Sequence, residues 1–202
     1  MSTSVAGTAP RDIEAEVCPS LEAALDVVSV KSERKIRKEA ERDAGRLLKV
    51  TSRLGAPVDC AAIANEVGLK VFVVLMKEIT LGGLLMKPGD QPKIYVNKRD
   101  GYLRQRLTCA LELGHYLRRS SETNEYARVD RRGPRSKSDE GIDDIYAHEF
   151  AASLLMPKED VEILAELGVD DMEMALRLIV PREAMQIRLK DLGLPGPDLG
   201  VG

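Results

Sequence analysis

Three stretches rich in apolar and β-branched residues lie close together between residues 69 and 98, and this clustering constrains the fold more than any other feature of the chain. They read LKVFVVLM, LGGLLMK and PKIYVNK, and a Pro-Gly-Asp turn separates the last two. Runs of this kind, broken by turn residues, predict a small antiparallel sheet that contains a hairpin. Because these strands cluster instead of alternating with helices, we predict an α+β fold.

Helical periodicity surrounds the predicted strands. Apolar residues recur at helical spacing on both sides of them, and glycine or proline ends most of these runs. A segment rich in charges of both signs, RRSSETNEYARVDRRGPRSKSDEGIDD, is predicted to be an exposed, mobile loop. We predict helices at Glu33 to Leu54, 60–67, 102–117 and 142–155, followed by three short helices after Pro157.

The composition divides the chain into four parts. Residues 1–32 mix Ser, Thr, Ala and Glu with a short apolar patch, LEAALDVVSV, that could form an isolated helix, and we predict a flexible leader. The main domain then spans 33–160, an appendage of short helices spans 161–195, and a frayed tail covers 196–202. The last two helices of the appendage have the rhythm of a helix-turn-helix, but packing against the main domain explains their apolar residues.

Charge and cysteine content restrict the class of protein. The formal net charge of −3 argues against a broadly basic surface for nucleic acid. Three widely separated cysteines, Cys18, Cys60 and Cys109, form no Cys-x-x-Cys pair and are interpreted as reduced thiols. The N-terminus lacks the basic, apolar character of a signal peptide, and the run VFVVLM is far shorter than the roughly 20 residues that span a bilayer. We therefore expect a cytoplasmic protein without a membrane partner.

Two predicted helices carry the residues that favour chemistry. In ALELGHYL, residues 110–117, Glu112 and His115 are spaced like the glutamate and second histidine of a His-Glu-x-x-His zinc helix. Leu111 stands where such a helix has its first histidine. In the later helix Asp144 and His148 are four residues apart and share a face, and the chain has only 2 histidines.

Several segments, taken together and in order, resemble the ImmA/IrrE family of bacterial and phage metallopeptidase-like proteins. They are VDCAAIANEVGLKV, LGGLLM with PKIYVN, RQRLTCALELGHYL, DIYAHEFAASLLMP and MALRLIVPREAMQIRLKDLGL, and the resemblance covers roughly residues 34–192. It implies a zincin-like domain in which the small sheet packs on the two metalloprotease-type helices. It also implies a protein partner, a helix-turn-helix repressor or an antitoxin-like protein in phage, mobile-element or stress regulation.

The resemblance also implies roles for individual residues. Glu112 corresponds to the catalytic base of a zinc-assisted peptide hydrolysis, and His115 corresponds to a zinc ligand. Asp144 corresponds to the third ligand, shortened from glutamate, and His148 stands where the family commonly has asparagine. Gly82 and Gly83 could bind substrate by letting its backbone approach an edge strand, although a turn or bulge explains the same glycines.

Leu111 leaves three interpretations open. In the first, two remaining ligands are too few for catalytic zinc, and the protein is a catalytically inactive, partner-binding pseudopeptidase. In the second, His148 joins His115 and Asp144 to restore two histidines and a carboxylate. In the third, Leu111 is a recent or introduced change in a working enzyme. A DNA-binding regulator is a more distant alternative.

Overall fold

A computed structural model describes residues 19–51, 57–78, 80–88, 91–119, 126–131 and 141–196. The part of the chain from Glu33 onward forms one compact unit. Most of the predicted leader lies outside the described residues, and so does nearly all of the predicted tail. The described helices are α1 (Pro19–Val50), α2 (Cys60–Glu66), α3 (Tyr102–Arg118), α4 (Ile142–Leu155), α5 (Lys158–Glu166), α6 (Asp171–Leu178) and α7 (Arg182–Leu192).

The described strands are β1 (Lys70–Val74), β2 (Leu81–Lys87), β3 (Lys93–Asn97) and β4 (Tyr126–Arg131). They form one sheet in the order β1-β3-β2-β4, which confirms the α+β class. The prediction that this sheet is antiparallel was wrong for one pair, because β1 pairs with β3 in parallel. β3 and β4 flank β2 on both sides, so β2 has no edge left to which β1 could pair.

β4 corrects a second prediction. Its residues, YARVDR, belong to the segment that the sequence predicts to be a loop, yet they pair with β2 along most of its length. The alternation of this strand is a weak sequence signal because the strand has only 6 residues and charged side chains interrupt the apolar ones. Edge strands commonly carry such charges, which discourage pairing with other chains.

The two helices that carry the predicted site have the expected bounds. α4 begins at Ile142 and ends at Leu155 as predicted, and α3 extends one residue beyond the prediction. The prediction of α2 is confirmed as well, and its capping residue Asp59 accepts a hydrogen bond of 3.0 Å from the backbone N–H of Ala62.

The core lies between α3, the inner face of the sheet and the helices that follow. The largest fully buried side chains include Leu85 and Ile94 of the sheet, Leu113 of α3 and Phe150 of α4. α1 begins earlier than predicted and adds Ile36, Ala40, Ala44 and Leu48 to this core. None of the helices in the described ranges combines the length and apolarity that crossing a bilayer requires.

Candidate functional site

The crossing of α3 and α4 brings two predicted site residues together. Nε2 of His115 lies 3.6 Å from Oδ1 of Asp144, although the two residues belong to different helices. His115 is buried, and the carboxylate of Asp144 is mostly so. The close approach depends on Gly114, since a Cβ at this position would lie only 3.0 Å from Cα of Ala147. The helix crossing therefore brings both side chains together, and the space around His115 and Asp144 is called the pocket below.

Glu112 precedes His115 by three residues on α3 and is fully buried. Its side chain is 0% exposed and lies against β2, where a Cβ on Gly83 would be 2.8 Å from its Oε1. The same Cβ would be 2.5 Å from Cγ2 of Thr108. Only glycine at position 83 lets the strand approach α3 so closely.

This packing changes the interpretation of the two strand glycines. Gly82 and Gly83 are both buried in β2, which is an interior strand and not an edge strand. The register of β2 against β4 shifts between Leu81 and Gly83, as expected for a bulge. The predicted edge position is therefore wrong. Gly82 and Gly83 do not lie on an open strand edge to which a substrate backbone could pair.

Leu111 occupies the corner where the sequence comparison expects an imidazole. Its side chain is buried and belongs to the main hydrophobic cluster. An aliphatic side chain has no lone pair for a metal ion. The position is therefore part of the core.

Arg128 is a site residue that the sequence does not reveal. It lies in β4, and its guanidinium donates a hydrogen bond from Nη2 to Oδ1 of Asp144. The side chains of Arg128 and Asp144 are only 15% and 19% exposed, so water screens this ion pair weakly. Arg128 lies opposite the buried Leu85 of β2 and therefore on the inner face of the sheet. A sequence prediction that identified β4 as the partner of β2 would have placed it there.

His148 differs in exposure from the residues around it on α4. The residue is exposed, whereas its neighbours Ala147 and Glu149 on α4 are buried. Within the described ranges, no three His, Cys, Asp or Glu side chains are grouped so that they could hold a metal ion. Among the described residues, the two potential ligands seen side by side here are His115 and Asp144, and Asp144 is paired with a cation. Because catalytic zinc usually has three protein ligands, this set of residues does not fit zinc.

Polar contacts outside the pocket fix the ends of the two helices. Arg118 of α3 donates hydrogen bonds to Asp143 at 3.1 Å and to Glu39 at 3.3 Å. The hydroxyl of Tyr146 donates to Asp43 at 3.1 Å. Burial, followed by the nearby Asp43 carboxylate, raises the pKa of Tyr146 far above its ordinary value, so the hydroxyl keeps its proton.

Two cysteines of the described residues are free thiols. Cys60 and Cys109 are buried thiols, as predicted for these two residues, while Cys18 lies outside the described residues. A hydrogen bond to Cys60 and burial raise the pKa of Cys109 well above its ordinary value. The same hydrogen bond lowers the pKa of Cys60. Cys109 therefore stays protonated and packs as a small apolar residue.

Comparison with known proteins gives a family and a fold. Residues 64–190 match the family model of the IrrE N-terminal-like domain. Among solved structures, a Mycobacterium tuberculosis transcriptional regulator superimposes with a TM-score of 0.52 at 15% identity, over 79% of this chain and 51% of that chain. The present chain thus spans about half the length of that regulator. No curated protein sequence matches it.

Proposed function

The chain belongs to the family of IrrE N-terminal-like domains, and on this premise we propose that it works by binding a protein partner without metal-dependent peptide hydrolysis. The observation that carries the proposal is the set of side chains at the pocket. Leu111 supplies no ligand, and Arg128 is hydrogen-bonded to the carboxylate of Asp144. A family likeness gives a fold, whereas activity depends on the residues of the site.

The position of Glu112 supports the same conclusion. A general base must come within about 2.6–3.2 Å of the proton that it removes. Glu112 is completely buried, and β2 lies directly against its carboxylate at Gly83. A polypeptide substrate and its attacking water would need space that β2 and α3 fill here.

The outer face of the sheet offers a surface for the proposed partner. One residue from each strand lies in register across this face, and we call these four the outer row: Phe72, Tyr95, Leu84 and Val129. Phe72 and Val129 are 39% and 40% exposed, and the rings of Phe72 and Tyr95 stack with centroids 5.4 Å apart. Exposed aromatic residues of this kind are enriched at protein interfaces.

The charges next to the outer row indicate the chemistry of the partner. Lys70 and Lys93 are register partners on the same face, two residues along the strands from Phe72 and Tyr95. A segment with an apolar stripe bordered by acidic side chains complements this arrangement. We propose a helix-turn-helix repressor or an antitoxin-like protein as the partner, so that the chain acts in the control of transcription. The M. tuberculosis protein of similar fold is named a transcriptional regulator.

Binding and cleavage assays test this function. Purified helix-turn-helix repressors and antitoxin proteins of the source organism are incubated with the protein, with added zinc or with EDTA. We expect binding to the cognate protein in both conditions and no cleavage by mass spectrometry. Phe72→Asp should abolish binding, whereas Leu176→Asp, at an exposed leucine of α6, should preserve it. Cleavage that EDTA stops and that Glu112→Gln abolishes would overturn the proposal.

A further inference from the structure

We propose that Arg128 is a built-in counter-cation that takes the place of a metal ion beside Asp144 and keeps the pocket closed to zinc. The inference rests on the proposed function, in which the protein acts without a metal ion. It explains which cation stands beside Asp144 in that case. Its consequence is specific, because restoring a histidine at position 111 should not be sufficient to recover zinc binding while Arg128 is present.

The sheet directs Arg128 toward the helices. Arg128 pairs in register with Leu85, which pairs in turn with Ile94, and both partners are fully buried on the inner face. Side chains directly opposite each other in neighbouring strands point to the same face of the sheet. Arg128 therefore reaches from β4 into the space between the sheet and α4.

One oxygen atom of Asp144 faces two nitrogen groups. Its Oδ1 accepts the hydrogen bond from Arg128 and also lies 3.6 Å from Nε2 of His115. A divalent cation placed between Nε2 of His115 and the oxygen of Asp144 nearest to it would share this oxygen with the guanidinium. Since arginine remains charged at any ordinary pH, the two cations would repel each other in a weakly solvated pocket. Metal binding thus requires Arg128 to leave.

The charge of Asp144 also bears on the role of Arg128. A partly buried carboxylate is costly to keep ionised unless it is paired. Arg128 meets this requirement from within the chain, and its fixed charge does not depend on metal supply. A purely structural role, in which Arg128 only fastens β4 to α4, makes a different prediction. Loss of that role would lower stability without raising the affinity for metal.

Zinc titration of four proteins separates these roles. The wild type, Leu111→His, Arg128→Met and the double variant Leu111→His/Arg128→Met are titrated with Zn²⁺ against a chromogenic chelator. We expect the double variant to bind zinc at least about tenfold tighter than Leu111→His, a difference of about 1.4 kcal/mol. Adding His115→Ala to the double variant should abolish this binding, which would assign the zinc to the pocket.

Matched controls distinguish charge from shape and location. Leu111→His/Arg128→Lys retains a positive charge and should bind zinc as weakly as Leu111→His alone. Leu111→His/Arg118→Met removes a different arginine, which pairs with Asp143 next to Asp144, and should also remain weak. Circular dichroism checks that each variant is folded. If Arg128→Met does not fold, Arg128→Gln serves as the neutral variant.

The outcomes separate this inference from the proposed function. Equal zinc affinities of Leu111→His and the double variant, in a background where the wild type binds no zinc, would overturn the role of Arg128 and leave the proposed function standing. Zinc bound by the wild type and lost in His115→Ala would contradict the proposed function itself.

Discussion

Gly114 of α3 and Ala147 of α4 are in backbone contact, because a Cβ on Gly114 would lie 3.0 Å from the Cα of Ala147 and 3.3 Å from its carbonyl oxygen. The residues that follow and precede this contact, His115 and Asp144, meet in the pocket. A small residue at the crossing therefore determines the geometry of the candidate site. A single methyl group added at position 114 should therefore disturb the arrangement of His115 and Asp144.

Gly114→Ala should destabilise the protein by about 1–3 kcal/mol, since the added methyl group forces α3 and α4 apart in a close-packed core. Gly45→Ala is the matched control in α1, where no atom lies within 4 Å of the added Cβ. It should stabilise the protein by up to about 1 kcal/mol through helix propensity. Urea unfolding measures both, and a Gly114→Ala protein as stable as the wild type would contradict the packing.

Gly83→Ala should destabilise the protein by about 1–3 kcal/mol, because its methyl group meets Cγ2 of Thr108 at 2.5 Å. Thr108→Ser removes this Cγ2 atom and keeps the hydroxyl group. The double variant Gly83→Ala/Thr108→Ser should therefore lose less stability than the sum of the single changes, with a coupling of at least about 0.5 kcal/mol. Strictly additive changes would show that β2 does not press against α3 at this point.

Ile179→Gly should stabilise the protein by up to about 1 kcal/mol, because a left-handed conformation is costly for a β-branched residue. Ile179 ends α6 with φ 54° and ψ 54°, a position that usually carries glycine. The opposite change at the end of α7, Gly193→Ala, places a side chain at φ 68° and should destabilise by about 1 kcal/mol. Thermal unfolding that shifts in the same direction for both variants would contradict this explanation.

Asp171→Asn should reduce stability at neutral pH and have little effect in acid. Asp171 is buried and accepts hydrogen bonds from Arg182 at 2.7 and 3.1 Å and from Gln186 at 2.7 Å. The Arg182 hydrogen bond in particular lowers the pKa of Asp171 in the folded state. The stabilisation is therefore present above the unfolded pKa of about 3.9, and it is lost as the pH falls through the lower folded value.

Urea unfolding of the wild type and Asp171→Asn at a series of pH values measures this linkage. The two curves of unfolding free energy against pH should be separated at pH 7 and should converge below the ordinary range of a carboxyl pKa. A constant difference between the curves down to the lowest pH would show that the charge of Asp171 does not contribute.

The sequence predicts those parts of the structure that long periodic patterns encode. α3 and α4 extend over several turns, and the bounds of α4 follow from its apolar residues and from Pro157. Fixed helical spacing also explains why His115 and Asp144 are near each other once the helices cross. The small sheet is recognisable from its β-branched runs, but the order of the strands in the sheet depends on contacts between distant segments.

The remaining features depend on contacts between distant segments. β1 pairs with β3 because β3 and β4 already occupy both edges of β2, and no local pattern reports this. β4 is short and charged, so its sequence resembles a loop. The contact of Arg128 with the site therefore cannot be predicted from the sequence. The exposure of His148 could not be inferred from its spacing to Asp144, because residues that share a helix face can still differ in what the neighbouring elements cover.

Zinc content of the wild-type protein tests the central claim most directly. The protein is expressed with added zinc, dialysed and measured by elemental analysis beside His115→Ala and Asp144→Ala. We predict that the wild type carries only trace zinc and that neither substitution changes this amount. Near-stoichiometric zinc in the wild type that disappears in both variants would contradict a pocket in which Arg128 stands in place of the metal.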